Sequence, residues 1–327
     1  MSKARHNVPL LLLHLTPREK SLPAYTWICG ELRILEAADP LMDLLHKVTD
    51  QSAITSIIEA LGRIADPRAV RPLAEFIQIR NSHLAEHAVT ALGRIGTEQA
   101  MSHLDLALGH NENIDQLIVT TCGQLKTPAA LSVLNRALQK AHPAIQEQAA
   151  DIFFSLGSHG LSTLHNNLSQ NFPDLQLRTL NILERIQDQQ SLQPIRRLLN
   201  AHPEEKVRAA AYTALGGLTL SQGAYVLVSG LTDPSFSVRT AAARAADGNA
   251  GSIMLFGIQN LLHDEETQAL LIVRTLFQAR AEKLIAHLWD VPRFRELAVR
   301  AAQTCQACST HKLLLSLSTE DIHPENR

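Results

Sequence analysis

The sequence predicts an all-α chain, an alpha-alpha superhelix of about nine or ten stacked helix pairs, and three observations predict it. Apolar residues recur with a helical period: Ile54, Ile57, Ile58, Leu61 and Ile64 form one stripe, and after the Asp66-Pro67 break Val70, Leu73, Ala74 and Ile77 form a second. Variants of this helix–turn–helix unit recur along the chain, with glycine at positions 30, 62, 93 and 123. That spacing of about 31 residues fits two short helices and two turns. The composition agrees, since 45% hydrophobic but only 4% aromatic residues suit thin layers of small helices. No single amphipathic pair can bury its own stripes, so each pair must stack on the next.

At the N-terminus Lys3, Arg5 and His6 precede the apolar run Val8 to Leu13, which is short, contains Pro9 and leads into Thr16-Pro17-Arg18-Glu19-Lys20 instead of a small-residue cleavage site. Residues 1–20 are therefore expected to cap the first layer, with docking of a partner by Leu10 to Leu13 as the alternative. The repeat array is expected over 21–317 and a polar tail over 318–327. In order, the glycine-bearing second helices carry Trp27-Ile28-Cys29-Gly30, Glu59-Ala60-Leu61-Gly62-Arg63-Ile64, Thr90-Ala91-Leu92-Gly93-Arg94-Ile95 and Thr120-Thr121-Cys122-Gly123-Gln124-Leu125. Phe154 and Glu184 then stand where glycine stood, Gly216 restores it, and beyond it the spacing is less even. Glycine near a helix end reads as a point of close packing. Pro40, Pro67, Pro128, Pro143, Pro173, Pro203, Pro234 and Pro292 each precede an apolar-periodic run and mark first helical positions.

The stretches 60–73, 203–216 and 233–242, among them Pro203-Glu204-Glu205-Lys206-Val207-Arg208-Ala209-Ala210, resemble the HEAT-like repeats of the kind found in phycobilisome lyases. The resemblance covers about residues 20 to 317. It implies a HEAT-repeat solenoid, a fold that serves adaptors, scaffolds, assembly factors, chromophore lyases and a few enzymes. It also implies a structural Asp/Arg ladder, in which Arg178, Arg208, Arg239, Arg300 and Arg274 pair with carboxylates such as Asp174, Glu204, Glu205 and Asp233; the same row is otherwise a track for phosphate or an acidic partner.

A formal net charge of −2 and a pI near 6.7 give no global pull on nucleic acid or anionic membrane, so nucleic acid is an unfavoured partner. No apolar run approaches the length of a membrane-spanning helix. Four cysteines are too few and too unevenly spaced for a disulfide framework, which points to a reducing, cytoplasmic setting. Histidines His110, His142, His202 and His263 precede second helices in different layers, too far apart to share an ion, so they read as turn caps or partner contacts. Cys305, Cys308 and His311 form one compact cluster suggestive of zinc or redox chemistry, for which burial in a small-residue helix is the preferred reading. Di-iron hydroxylases of similar fold carry repeated His-Glu pairs, and no His here is followed by Glu. Phosphate-cradling and serine-hydrolase motifs are absent as well. The expectation is a non-catalytic scaffold or adaptor with no cofactor and no metal, holding a protein partner on a concave face lined by the second helices. Glu59, Arg63, Arg94, Gln124, Glu184 and Arg185, which flank the repeat glycine on its polar side, are the expected contacts. The alternatives are a chromophore-lyase subunit or other maturation factor and, behind it, a nucleic-acid-binding solenoid.

Overall fold

A computed structural model describes residues 8–78, 82–200, 202–218 and 224–303, and among them every regular element is helical. The chain divides into two compact units, Met1–Thr163 and Leu164–Arg327. The first unit runs α1 (Val8–Leu13), α2 (Leu22–Glu31), α3 (Ala38–Leu45), α4 (Gln51–Ile64), α5 (Val70–Ile77), α6 (Ser82–Ile95), α7 (Glu98–Ala107), α8 (Glu112–Leu125), α9 (Pro128–Lys140) and α10 (Pro143–Leu156). The division falls within α11 (Leu161–Leu168). The second unit continues with α12 (Pro173–Ile186), α13 (Leu192–Leu199), α14 (Glu205–Gly216), α15 (Ala224–Gly230), α16 (Phe236–Gly248), α17 (Ser252–Leu262), α18 (Glu266–Ala279), α19 (Glu282–Leu288) and α20 (Pro292–Gln303).

Even-numbered helices are the second helices of the repeat. Within the first unit they lie side by side, α2 on α4, α4 on α6, α6 on α8 and α8 on α10; within the second, α12, α14, α16, α18 and α20 follow the same order. First helices line up behind them, as α5, α7 and α9 do. The apolar stripes meet between the two rows: Ile57, Ile58, Leu61 and Leu73 are fully buried, as the 3.6-residue period requires. Each such side chain contributes roughly 1.5–3 kcal/mol by leaving water.

The repeat glycine sets the distance between second helices. A Cβ built on Gly62 would stand 2.7 Å from the Ala91 Cα in α6, and one on Gly30 2.9 Å from the Ala60 Cα in α4. Gly216 meets the Ala245 Cα at 3.0 Å in the same way, whereas Gly123 faces the side chain of Ile152. Sequence periodicity thus marks a close approach of backbones.

Helix ends follow local chemistry. Asp50 accepts from the Ala53 N–H at 2.8 Å, and Thr97 and Thr127 cap α7 and α9 in the same manner. Second helices stop on a left-handed residue three positions after the repeat position: Ala65, Gly96, Lys126, Gly157 and Gln187 have φ of 60°, 65°, 55°, 54° and 55°. Pro128, Pro143, Pro173 and Pro292 open their helices, as expected. Pro40, Pro203 and Pro234 do not: α3 begins at Ala38 behind a 3-10 turn, α14 at Glu205 and α16 at Phe236. Proline fits these places equally well, because neither the first turn nor the residues ahead of it has an i−4 carbonyl to bond.

In the N-terminal segment Leu15 and Leu22 are buried and the His14 ring stacks on Tyr25 at 4.4 Å, whereas Leu10 and Leu13 stay exposed. The tail 318–327 and the Cys305, Cys308 and His311 cluster lie outside the described residues.

Gly62→Ala forces a methyl onto the backbone of α6 and is expected to lower stability by about 2–3 kcal/mol, read from urea or thermal unfolding. Gly248→Ala, where the added Cβ meets nothing within 4 Å, is the control and should be neutral or slightly stabilising. Lys126→Gly should raise stability by about 1 kcal/mol, because a side chain in the left-handed region is removed without loss of a contact.

Candidate partner-binding surface

In the first unit the outward side of the second helices carries a chain of polar contacts within and between helices. Arg63 on α4 places Nη1 3.1 Å from Glu31 Oε1 of α2, without hydrogen-bond alignment, and Nη2 3.9 Å from Glu59 Oε2. Glu59 in turn lies 3.1 Å from His87 Nδ1 of α6, whose ring is 4.6 Å from that of His83. These groups are half-exposed, so each pair is worth about 0.5 kcal/mol and organises the surface more than it stabilises it. Beside them Gln51, Ser52, Thr55, Ser56, Glu59 and His83 line a shallow hollow of about 570 Å³. The expected contacts Arg94 and Gln124 are both exposed, one on each of the next two second helices, and neither joins this chain.

In the second unit Glu184 borders a groove of about 510 Å³ that crosses α12, α14 and α16, with Gln187, Thr213, Ser237, Thr240 and Arg244 supplying its other polar groups. Its floor is shallow because glycine and alanine, Gly216, Gly217, Ala241 and Ala245, occupy the crossing. Arg185 is exposed beside Glu184.

Sequence reasoning centred on the residues flanking the glycine and missed His87, Gln148, Thr213 and Arg244. A signal was present. Glu59 and Thr120 each stand three positions before a repeat glycine, and each bonds a residue six positions before the equivalent place in the next layer, His87 and Gln148; the Gln148 amide donates to the Thr120 hydroxyl at 3.0 Å. A polar rung between layers is therefore written at two fixed offsets from the repeat position.

The arginine row is structural where its partners are resolved. Arg208 donates from Nε and Nη2 to Asp233 at 2.9 and 3.0 Å and from Nη1 to the carbonyls of His202 and Pro203, tying α14 to the turn of the next layer. Arg300 pairs with Glu266 and Glu296. Arg239 departs from the expected carboxylate pairing: it is buried, and its guanidinium donates to the carbonyls of Asp233 and Pro234 at 2.8 and 2.9 Å, because the turn ahead of its own helix offers them at that reach. Burial alone would push the Asp233 carboxyl up, but the hydrogen bonds from Arg208 and the Ser235 N–H and the charges of Arg208 and Arg239 hold it below its ordinary value. An analogous pair at the start of α5 joins Asp66 to Arg68 at 2.7 Å, and Arg68 reaches Asp39 at 2.8 Å.

The histidines take varied places. His202 caps a turn, its Nδ1 accepting from the Glu204 N–H at 3.2 Å, whereas His142 makes no side-chain cap and His110 and His263 are exposed. Cys29 and Cys122 are buried free thiols; burial, and for Cys122 the Asp105 charge, raise their pKa, for Cys122 to about 12, so neither is a ready nucleophile. Among the described residues no group of three or more His, Cys, Asp or Glu is placed to hold a metal ion, and no helix is long and apolar enough to cross a membrane.

Because Asp233 is held in its charged form by folding, its contribution is present above the unfolded carboxylate pKa near about 4 and fades as pH falls through the lower folded value. Asp233→Asn should cost roughly 2–3 kcal/mol at pH 7 and flatten the loss of stability measured by unfolding between about pH 4 and pH 2.

Among solved structures, an engineered protein is 16% identical and aligns over 92% of this chain and 99% of its own, with a TM-score of 0.36. The complex of CpcE and CpcF of phycocyanin lyase from Nostoc sp. PCC7120 is 17% identical, over 74% of this chain and 94% of that one, with a TM-score of 0.37. Kap95p, in its complex with RanGDP, is 12% identical with a TM-score of 0.39, and the alignment takes in 96% of this chain but only half, 50%, of that one. No curated protein matches the sequence. A profile for HEAT repeats matches residues 38–114 and 161–247, together half of the 327 residues, and the chain belongs to the HEAT-repeat family.

Proposed function

We propose that the protein is a non-catalytic scaffold or adaptor that holds a protein partner against the exposed sides of its second helices. The observation that carries this reading is the regular presentation of polar side chains on successive second helices that glycine contacts hold close together. In the first unit Glu59 and Arg63 are pre-oriented by polar contacts to His87 and Glu31, and Arg94 and Gln124 are exposed one and two layers further on. In the second unit Glu184 edges a groove and Arg185 stands beside it. Contacts spread thinly over several layers suit a large partner surface better than a small ligand, since neither hollow is deep or enclosed by apolar walls. Pre-orientation by neighbours lowers the ordering cost of association. In the same reading residues 1–20 cap the first layer, a role supported by the burial of Leu15 and the His14–Tyr25 stack.

Affinity capture from the native extract, with wild type and the charge-reversed variants Arg94→Glu and Arg185→Glu compared side by side, tests the reading. A stoichiometric protein partner retained by wild type and weakened at least about tenfold by one of the reversals is the expected result, because a rim or groove charge turned against its partner costs on the order of 1–3 kcal/mol. Recovery of nucleic acid or of a coloured small molecule with no protein in comparable amount would overturn it. Arg63→Glu is less informative than Arg94→Glu, since it also breaks the Glu31 and Glu59 pairs.

A further inference from the structure

A second cavity lies away from the second-helix surface, on the first-helix side of the second unit. It measures about 400 Å³ and is formed by the end of α11, the middle of α13 and the turns ahead of α12 and α14. Its polar lining is Arg197, His165, His202, Asn166, Asn171 and Ser169; no aspartate or glutamate contributes, in a protein whose formal net charge is −2. Leu168 and Leu198 with two prolines make the apolar part of the wall. We propose that this cavity binds a small organic phosphomonoester, the phosphoryl group on Arg197 and the neighbouring amides and hydroxyl, the organic body on the leucine and proline wall.

Three features support the assignment. Arg197 has no ion pair or hydrogen bond among the described residues, whereas the arginines around it are engaged: Arg208 by Asp233, and Arg196 over the Tyr225 ring at 5.0 Å. A planar guanidinium with five free donors beside two carboxamides and a hydroxyl offers more donors than one carboxylate accepts, and matches the three oxygens of a phosphoryl group. The wall is also rigid before any ligand arrives. His202 Nε2 donates to Gln176 Oε1 at 2.9 Å, the buried Gln176 amide donates to the carbonyls of Leu168 and Gln170 at 3.1 and 2.7 Å, and the Glu204 N–H fixes the His202 tautomer from the other side. His165 is similarly placed by a 3.0 Å contact to the Ser191 hydroxyl. Finally, the volume falls in the range of ordinary small-molecule sites, several times what an inorganic anion alone would fill. The assignment is independent of the partner-binding reading, which concerns other helices and other residues.

The test is a titration of the full-length protein with phenyl phosphate, followed by NMR of the histidine side chains and by calorimetry, with benzoate and inorganic phosphate as parallel probes. The expected result is saturable binding of phenyl phosphate that shifts the His165 and His202 signals, at least about tenfold tighter than benzoate or inorganic phosphate, and weakened at least about tenfold by Arg197→Gln. Arg196→Gln should leave the affinity unchanged while unfolding slightly below the wild-type temperature through loss of the Tyr225 contact, and Arg197→Gln, at an exposed side chain, should unfold at the wild-type temperature. Equal binding of benzoate would overturn the phosphoryl assignment; equal binding of inorganic phosphate would overturn the role of the apolar wall. Affinity unaltered in Arg197→Gln, or the absence of saturable phenyl phosphate binding, would overturn the site.

Discussion

The spacing between neighbouring second helices is the constraint on which the rest depends. Where Gly62 faces Ala91 and Gly30 faces Ala60, backbone meets backbone, and the missing side chains let the apolar stripes of successive layers close without a gap. That contact fixes the layer repeat, and the layer repeat in turn sets which outward positions come within reach of one another. Glu59 meets His87 and Thr120 meets Gln148 because their helices are already held at that distance. The polar surface is thus a consequence of the packing beneath it.

The charged groups divide into two kinds by their surroundings. At the turns, largely shielded from solvent, Arg208 with Asp233 ties one layer to the next and Arg239 with two main-chain carbonyls ties its helix to the turn ahead of it, satisfying groups that would otherwise be left unpaired. On the outward faces Arg63 and Glu59 are only partly covered, which leaves them less energetic weight in the fold than the turn pairs. The same residue types do structural work in one place and present a binding surface in the other, and burial makes the difference. Arg197 differs from both: among the described residues it has no ion pair or hydrogen bond, and no acid lines the cavity it borders.

Much of the architecture was legible because its signals are local and periodic. Apolar stripes at 3.6 residues, proline near helix starts and glycine at a fixed interval each reflect a requirement met within one repeat or between adjacent ones. Pro40, Pro203 and Pro234 show the limit of such signals, since proline is compatible with several places around a helix start and marks the region without fixing the residue. The flanking residues Glu59, Arg63, Arg94, Gln124, Glu184 and Arg185 were found by their place beside the repeat position, and that place predicts an outward direction but not a neighbour.

By itself the sequence determined the all-helical repeat, the positions where helices pack most closely and the buried stripes, because these follow from chain-local periodicity repeated many times. Only the tertiary structure decided that Arg239 takes carbonyls where Arg208 takes a carboxylate, that Gln176 braces His202, and that Arg197, His165 and Asn171 share one cavity. Apart from Arg239 and its carbonyls, six and five positions back, those relations join residues about 25 to 32 positions apart through the geometry of stacking, and no period in the sequence encodes which donor will find which acceptor once the layers are in contact.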